Sequence, residues 1–141
     1  MKIFLSFCLT VILIFVASCK KDNNSTGVPI TGVDISLFIN NPSYINLNAV
    51  GGWVYVAGGV RGILVYRQST DQFKAYDRNC TYQSTNPCAT VYVDATNILA
   101  VDTCCKSKFL LMDGSVSHGP ALFPLKAYNT TFDGNVLHIF N

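Results

Sequence analysis

A chain of 141 residues, half of them apolar, with a formal net charge of +2 fits one domain and lacks the basic excess that nucleic-acid binding needs. Charged residues make up 13% of the chain and glutamate is absent, so paired-carboxylate chemistry would have to come from scattered aspartates. Six cysteines and two histidines are the reactive types that stand out.

Lys2 followed by the apolar run Ile3 to Val16 has the form of a signal peptide, too short for a permanent span. The run ends in Val16-Ala17-Ser18-Cys19, and small residues before a cysteine resemble a bacterial lipobox. That resemblance implies a signal peptide over 1–18, cleavage before Cys19 and acylation of that cysteine. An ordinary signal peptide cut after Ala17 or Ser18, or a signal anchor, is the alternative. Several acyl chains hold a protein firmly on a membrane, which implies a lipid-anchored protein of the bacterial cell envelope, on the periplasmic or surface face of the outer membrane. Residues 19–32 are rich in Asn, Ser, Gly and Pro and read as the lipidated cysteine and a flexible tether. Lys20 and Lys21 are candidates for contact with anionic head groups, and Lys20-Lys21-Asp22 loosely resembles the charged stretch after the cysteine in Bacteroidetes-type lipoproteins. Cleavage removes Cys8 and acylation occupies Cys19, so Cys80, Cys88, Cys104 and Cys105 remain, in a compartment where disulfides persist.

Residues 33–141 read as one domain with no convincing helix. Eleven short β-branched or aromatic runs follow one another: 33–39, 44–47, 53–57, 62–67, 73–77, 90–94, 98–102, 108–112, 115–117, 125–129 and 136–140. Such spacing predicts an all-β antiparallel sandwich or partly open barrel. Gly58-Gly59, Asp113-Gly114 and Asp133-Gly134 are hairpin signals, since the central positions of a type I′ turn need φ > 0. Asp77, Asp94, Asp113 and Asp133 fall at strand ends, where aspartate closes turns. Trp53, Tyr55, Tyr66, Phe73, Tyr76 and Tyr92 recur at strand alternation and read as core and cross-strand packing.

No Cys-His or Ser-His-Asp arrangement is visible, so no catalytic residue is assigned. His118 precedes a Gly-Pro turn and reads as a loop residue; His138 lies in an alternating strand and reads as an ordinary strand residue. The Asn129-Thr130-Thr131 sequon carries no weight in a bacterial lipoprotein. Cys104 and Cys105 are adjacent, and neighbours on an extended strand point to opposite sides, so they have different destinations. Four cysteines allow three pairings, and the sequence by itself does not select one.

The stretches GILVYRQSTDQFKAYDRNCTY (62–82) and CCKSKFLLMDGSVSHGPALFPLKAY (104–128) resemble a Rieske domain. In that family Cys-x-His in one loop and Cys-x-x-His in a second hold a [2Fe–2S] cluster, two cysteines on one iron and two histidines on the other. Ser107-Lys108-Phe109 matches the family's Ser-x-Phe, Asp113-Gly114 its turn, and Gly119-Pro120-Ala121 with Pro124-Leu125 its tail. The resemblance implies a Rieske-like β domain with a two-loop subdomain at about 78–120. It puts Cys80 at the first ligand cysteine, Tyr82 at the first histidine, Asp102 at the second cysteine and Cys105 at the second histidine, with Lys106 in place of a glycine. Moving the register to make Cys104 a ligand leaves Ser107 where a histidine is needed. Many members join the loops by a disulfide, which here implies Cys88–Cys104; with the cluster gone, Cys80–Cys105 is the implied second bridge.

The expectation is a non-enzymatic envelope lipoprotein that has lost its cofactor and serves as a structural or partner-binding module, meeting lipid and an envelope protein but no nucleic acid. The alternatives are a [2Fe–2S] electron carrier with altered ligands, a mononuclear metal held by Cys80, Tyr82, Asp102 and Cys105, or an exposed redox-active pair.

Overall fold

The computed structural model describes residues 26–141; the expected signal peptide, Cys19 and most of the expected tether lie outside the described residues. Among the described residues ten strands form: β1 (Asp34–Phe38), β2 (Trp53–Val56), β3 (Ile63–Arg67), β4 (Phe73–Asp77), β5 (Val91–Val93), β6 (Leu99–Asp102), β7 (Lys108–Leu110), β8 (Val116–His118), β9 (Ala127–Phe132) and β10 (Val136–Phe140). All ladders are antiparallel, as short connections require. The all-β expectation holds, with one local exception. Residues 44–47, expected as a strand run, lie in a 3₁₀ helix over Pro42–Asn48. Asn41 caps it by accepting the Ser43 N–H at 2.9 Å, and Pro42 presets the first helical φ. Leu47 then points into the core, and Arg67 Nη1 donates to its carbonyl at 2.8 Å.

The strands make two sheets. One has the order β1-β10-β9-β4-β3-β2, the other β5-β6-β7-β8. Alternation along the strands buries Leu37, Val54, Val65, Ala75, Leu137 and Ile139 in the core of the large sheet. A second core, containing Leu64, Tyr76, Cys80, Val91, Phe109 and Leu111, sits between the large sheet and the small one. Tyr76 belongs to β4, yet its hydroxyl donates to the Leu111 carbonyl at 3.2 Å, so it pins the two sheets together. Gly114 is obligatory beneath it: its φ is +74°, and a Cβ there would meet the Tyr76 ring at 2.7 Å. The three hairpin signals each fall between consecutive strands, and Asp133 accepts the N–H groups of Asn135 and Val136 at 2.9 and 2.7 Å.

Aromatic residues expected as packing also join the sheets. The Arg78 guanidinium lies over Tyr55 at 3.8 Å and over Tyr92 at 4.8 Å, while the Tyr55 hydroxyl accepts the Val93 N–H at 2.8 Å. Residues 26–32, expected as the end of the tether, are packed on the domain. Val28 is buried, Ser84 Oγ donates to the Gly27 carbonyl at 2.6 Å, and Lys126 Nζ donates to the Pro29 carbonyl at 2.8 Å. Among the described residues, no helix is long and apolar enough to cross a membrane.

Candidate functional site

Two loops meet at one end of the small sheet: the connection from β4 to β5 carries Cys80, and the turn from β6 to β7 carries Cys104 and Cys105. The first loop is held from below by Arg61. Its guanidinium donates to Asn79 Oδ1 at 2.6 Å, to the Pro87 carbonyl at 2.8 Å and to the Asn86 carbonyl at 2.7 Å. Asn79 passes the tie onward through its Nδ2, which donates to the Ser84 carbonyl at 3.1 Å. A disulfide joins Cys88 to Cys104, with Cα atoms 5.9 Å apart, and so fastens one loop to the other.

The adjacent cysteines lie in the turn between β6 and β7 and point to different partners. Cys104 turns outward to that disulfide, whereas the Cys105 sulfur turns inward to Cys80. The expected Cys80–Cys105 bridge is not formed: the two sulfurs are 3.7 Å apart and both residues are free thiols. Other partners hold the Cys105 sulfur in place, since its thiol lies 3.3 Å from Asp102 Oδ2 and 3.1 Å from Ser107 Oγ. Cys80 is fully buried, so the pair is not the exposed redox couple entertained above. Burial pushes the Cys80 thiol pKa strongly upward, and its contact with Asp102 adds to the shift.

Asp102 is the third member of the group. It closes β6 and is fully buried; its Oδ1 accepts the N–H groups of Cys104 at 2.7 Å and Cys105 at 3.3 Å. The ligating atoms of Cys80, Asp102 and Cys105 all lie within 4.8 Å of one another. Tyr82 lines the adjoining cleft of about 150 Å³ together with Gln83 and Asn86. The two histidines stand elsewhere. His118 is exposed at the end of β8, and His138 on β10 pairs with Asp34 at 2.7 Å.

Ser107 is a site residue whose part the sequence did not disclose. Its Oγ touches the Cys105 sulfur and also accepts the Ala121 N–H at 2.9 Å, joining the second loop to the Gly-Pro-Ala segment. The Ser-x-Phe motif singles out the position but not this bridge. Thr81 Oγ1 similarly donates to the Phe123 carbonyl at 2.7 Å, so the first loop and that segment form one surface. On it Leu122 is 86% exposed and Phe123 46% exposed. Lys106, which stands where the resemblance implies glycine, has φ +68°, a left-handed conformation that costs a side-chain-bearing residue about 1–2 kcal/mol.

No protein-family model matches the sequence, and no curated protein does. Solved structures do match. The plasma membrane Rieske protein PetC3 of the cyanobacterium Synechocystis PCC 6803 aligns with a TM-score of 0.55 at 23% identity, over 79% of this chain and 100% of that one. The fold is Rieske-like. The ferredoxin of carbazole 1,9a-dioxygenase from Nocardioides aromaticivorans IC177 aligns at 0.48 and 16% identity, covering 79% of this chain and 98% of its own. The Escherichia coli protein NirD aligns at 0.46 and 16%, covering 79% and 96%. In this Rieske-like frame, the paired loops are the place where the resemblance puts Cys80, Tyr82, Asp102 and Cys105.

Proposed function

We propose that the protein is a lipid-anchored component of the bacterial cell envelope whose Rieske-like domain holds no [2Fe–2S] cluster and acts as a non-enzymatic partner-binding module. The observation that carries this reading is the donor set. A Rieske cluster needs two thiolates on one iron and two imidazoles on the other. The loops offer two sulfurs and one carboxylate, and both histidines lie outside them. Cys80 and Cys105 stand at positions that would serve opposite irons, yet their sulfurs are 3.7 Å apart. That is van der Waals contact, with no room between them for a two-iron core. These residues do not fit the cluster.

The partner-binding part is supported by the exposed Leu122 and Phe123, fixed to the first loop through Thr81. Apolar side chains presented on a tied-down loop are suited to contact. The anchor is supported by the lipobox-like residues ending at Cys19. A second reading, an electron carrier with altered ligands, is favoured by the convergence of Cys80, Asp102 and Cys105.

Iron, acid-labile sulfide and the visible spectrum of the full chain, purified in mild detergent without added metal, separate the two. The expected result is neither iron nor sulfide. Two irons and two sulfides per chain, with the visible absorption of a [2Fe–2S] centre, would overturn the cluster-free reading. Metabolic labelling with a fatty acid that disappears in Cys19→Ser is the expected signature of the anchor.

A further inference from the structure

Three features of the paired loops fit a single bound ion. The first is the sulfur spacing. Two thiolates, each about 2.3 Å from one tetrahedral ion, lie about 3.8 Å apart, and the Cys80 and Cys105 sulfurs are separated by 3.7 Å. A carboxylate oxygen on the same ion would sit about 3.6 Å from each sulfur; Asp102 Oδ2 is 3.3 Å from the Cys105 sulfur.

The second is the unequal treatment of the two Asp102 oxygens. Oδ1 is fixed by two backbone N–H groups, whereas the contact found for Oδ2 is the Cys105 thiol. Asp102 is fully buried, and among the described residues no Lys or Arg side chain lies within salt-bridge distance of it. A buried carboxylate without a cationic side chain is costly unless a metal or a full set of donors compensates it. The third feature is the support for each sulfur. The Ser107 hydroxyl and N–H lie 3.1 and 3.5 Å from the Cys105 sulfur, and the Cys80 sulfur is fully buried beside it. Such outer contacts orient metal-binding thiolates and tune them.

We infer that Cys80, Asp102 and Cys105 form a mononuclear site for a divalent cation of the zinc class, bound by two thiolates and one carboxylate oxygen. The inference rests on the reading that these loops hold no cluster. Two sulfurs select a borderline cation such as Zn²⁺ over Mg²⁺ or Ca²⁺. On binding, the cation takes the place of the thiol protons, which leave to solvent. Three protein ligands leave a fourth position, beside the cleft of Tyr82, Gln83 and Asn86, for solvent or a partner's donor. A disulfide would satisfy the same geometry less well. Closing to about 2.05 Å would use both sulfurs and deprive Asp102 Oδ2 of its thiol contact. The Cys88–Cys104 bond and the Arg61 contacts fix the loops without help from the ion, so the site is formed before the cation arrives.

The test is a Zn²⁺ titration of the full chain in detergent, with the Cys88–Cys104 disulfide intact and Cys80 and Cys105 as free thiols, against a chromophoric chelator, repeated with Co²⁺ to read its tetrahedral thiolate absorption. One equivalent of Zn²⁺ is expected, with affinity lowered more than about tenfold in Cys105→Ser and Asp102→Asn, a loss that even outer-sphere partners can cause. His118→Ala should bind as the parent does, and circular dichroism reports whether each variant has folded. The Co²⁺ spectrum of the parent needs no variant at all. No Zn²⁺ uptake, uptake unchanged in a folded Cys105→Ser, or a Cys80–Cys105 disulfide in the chain as isolated would overturn the inference alone. Two irons with two sulfides would overturn the cluster-free reading along with it.

Discussion

Asp77 and Asp102 each end a strand, each is completely buried, and neither has a cationic partner among the described residues. Around Asp77 every need is met. Oδ1 accepts the N–H groups of Asn79 at 2.8 Å and Arg61 at 3.3 Å, while Oδ2 accepts the Val60 N–H at 2.6 Å and the Tyr128 hydroxyl at 2.7 Å. That aspartate is structural: it knots the β2–β3 turn to the root of the first loop. Asp102 has the same burial with two N–H donors, both on Oδ1, and its second oxygen meets the weak thiol donor of Cys105. The difference teaches that burial does not by itself separate a scaffold carboxylate from a ligand. What separates them is the strength of the donors on the second oxygen, an N–H and an O–H for Asp77 and a thiol for Asp102.

This contrast can be broken by substitution. Asp77→Ala leaves several buried N–H groups and a hydroxyl without an acceptor, so a loss of about 4 kcal/mol in denaturant unfolding is expected. Replacing Cys88 and Cys104 together by serine opens a loop of sequence separation 16 and should cost about 3 kcal/mol by the same measurement. Asp102→Asn, in the reduced and metal-free protein, should cost only about 1 kcal/mol, because the amide keeps an acceptor for the Cys104 and Cys105 N–H groups. Equal losses from Asp77→Ala and Asp102→Asn would erase the distinction drawn between the two sites. The smallest effect sharpens it: Lys106→Gly relieves a left-handed side chain and should stabilise the fold by about 0.5–1 kcal/mol. Zn²⁺ affinity should be unchanged in that variant, as measured by chelator competition.

The strands and turns were legible because they are local. Alternation, Asp-Gly pairs and β-branched runs each act over a few residues, and ten of the eleven expected runs overlap a strand. Tyr44 to Leu47 misled because its apolar alternation was outweighed by a capping Asn41 and by Pro42 immediately behind it. The site was legible in part. The Ser-x-Phe match at Ser107 and Phe109 pointed to Asp102 and Cys105, and the match of the first loop to Cys80; these three do converge. What stayed hidden was long-range: Arg61 reaching across 18 and 25 residues to Asn79 and Asn86, and Ser107 reaching across 14 to Ala121. Asp77 read as a turn aspartate, since nothing in its neighbours announces the donors that come from Val60 and Tyr128.

The bond from Ser84 Oγ to the Gly27 carbonyl fixes where the chain enters the domain. It enters against the first loop, which carries Cys80. With Cys19 as the proposed anchor, eight residues separate lipid from Gly27, a leash of at most about 29 Å when fully stretched. Under that proposal the paired loops would be held in a thin layer above the bilayer, where their effective concentration toward neighbours at that surface would be high. A partner that projects far from the membrane would be beyond their reach; one lying close to the surface would meet them repeatedly.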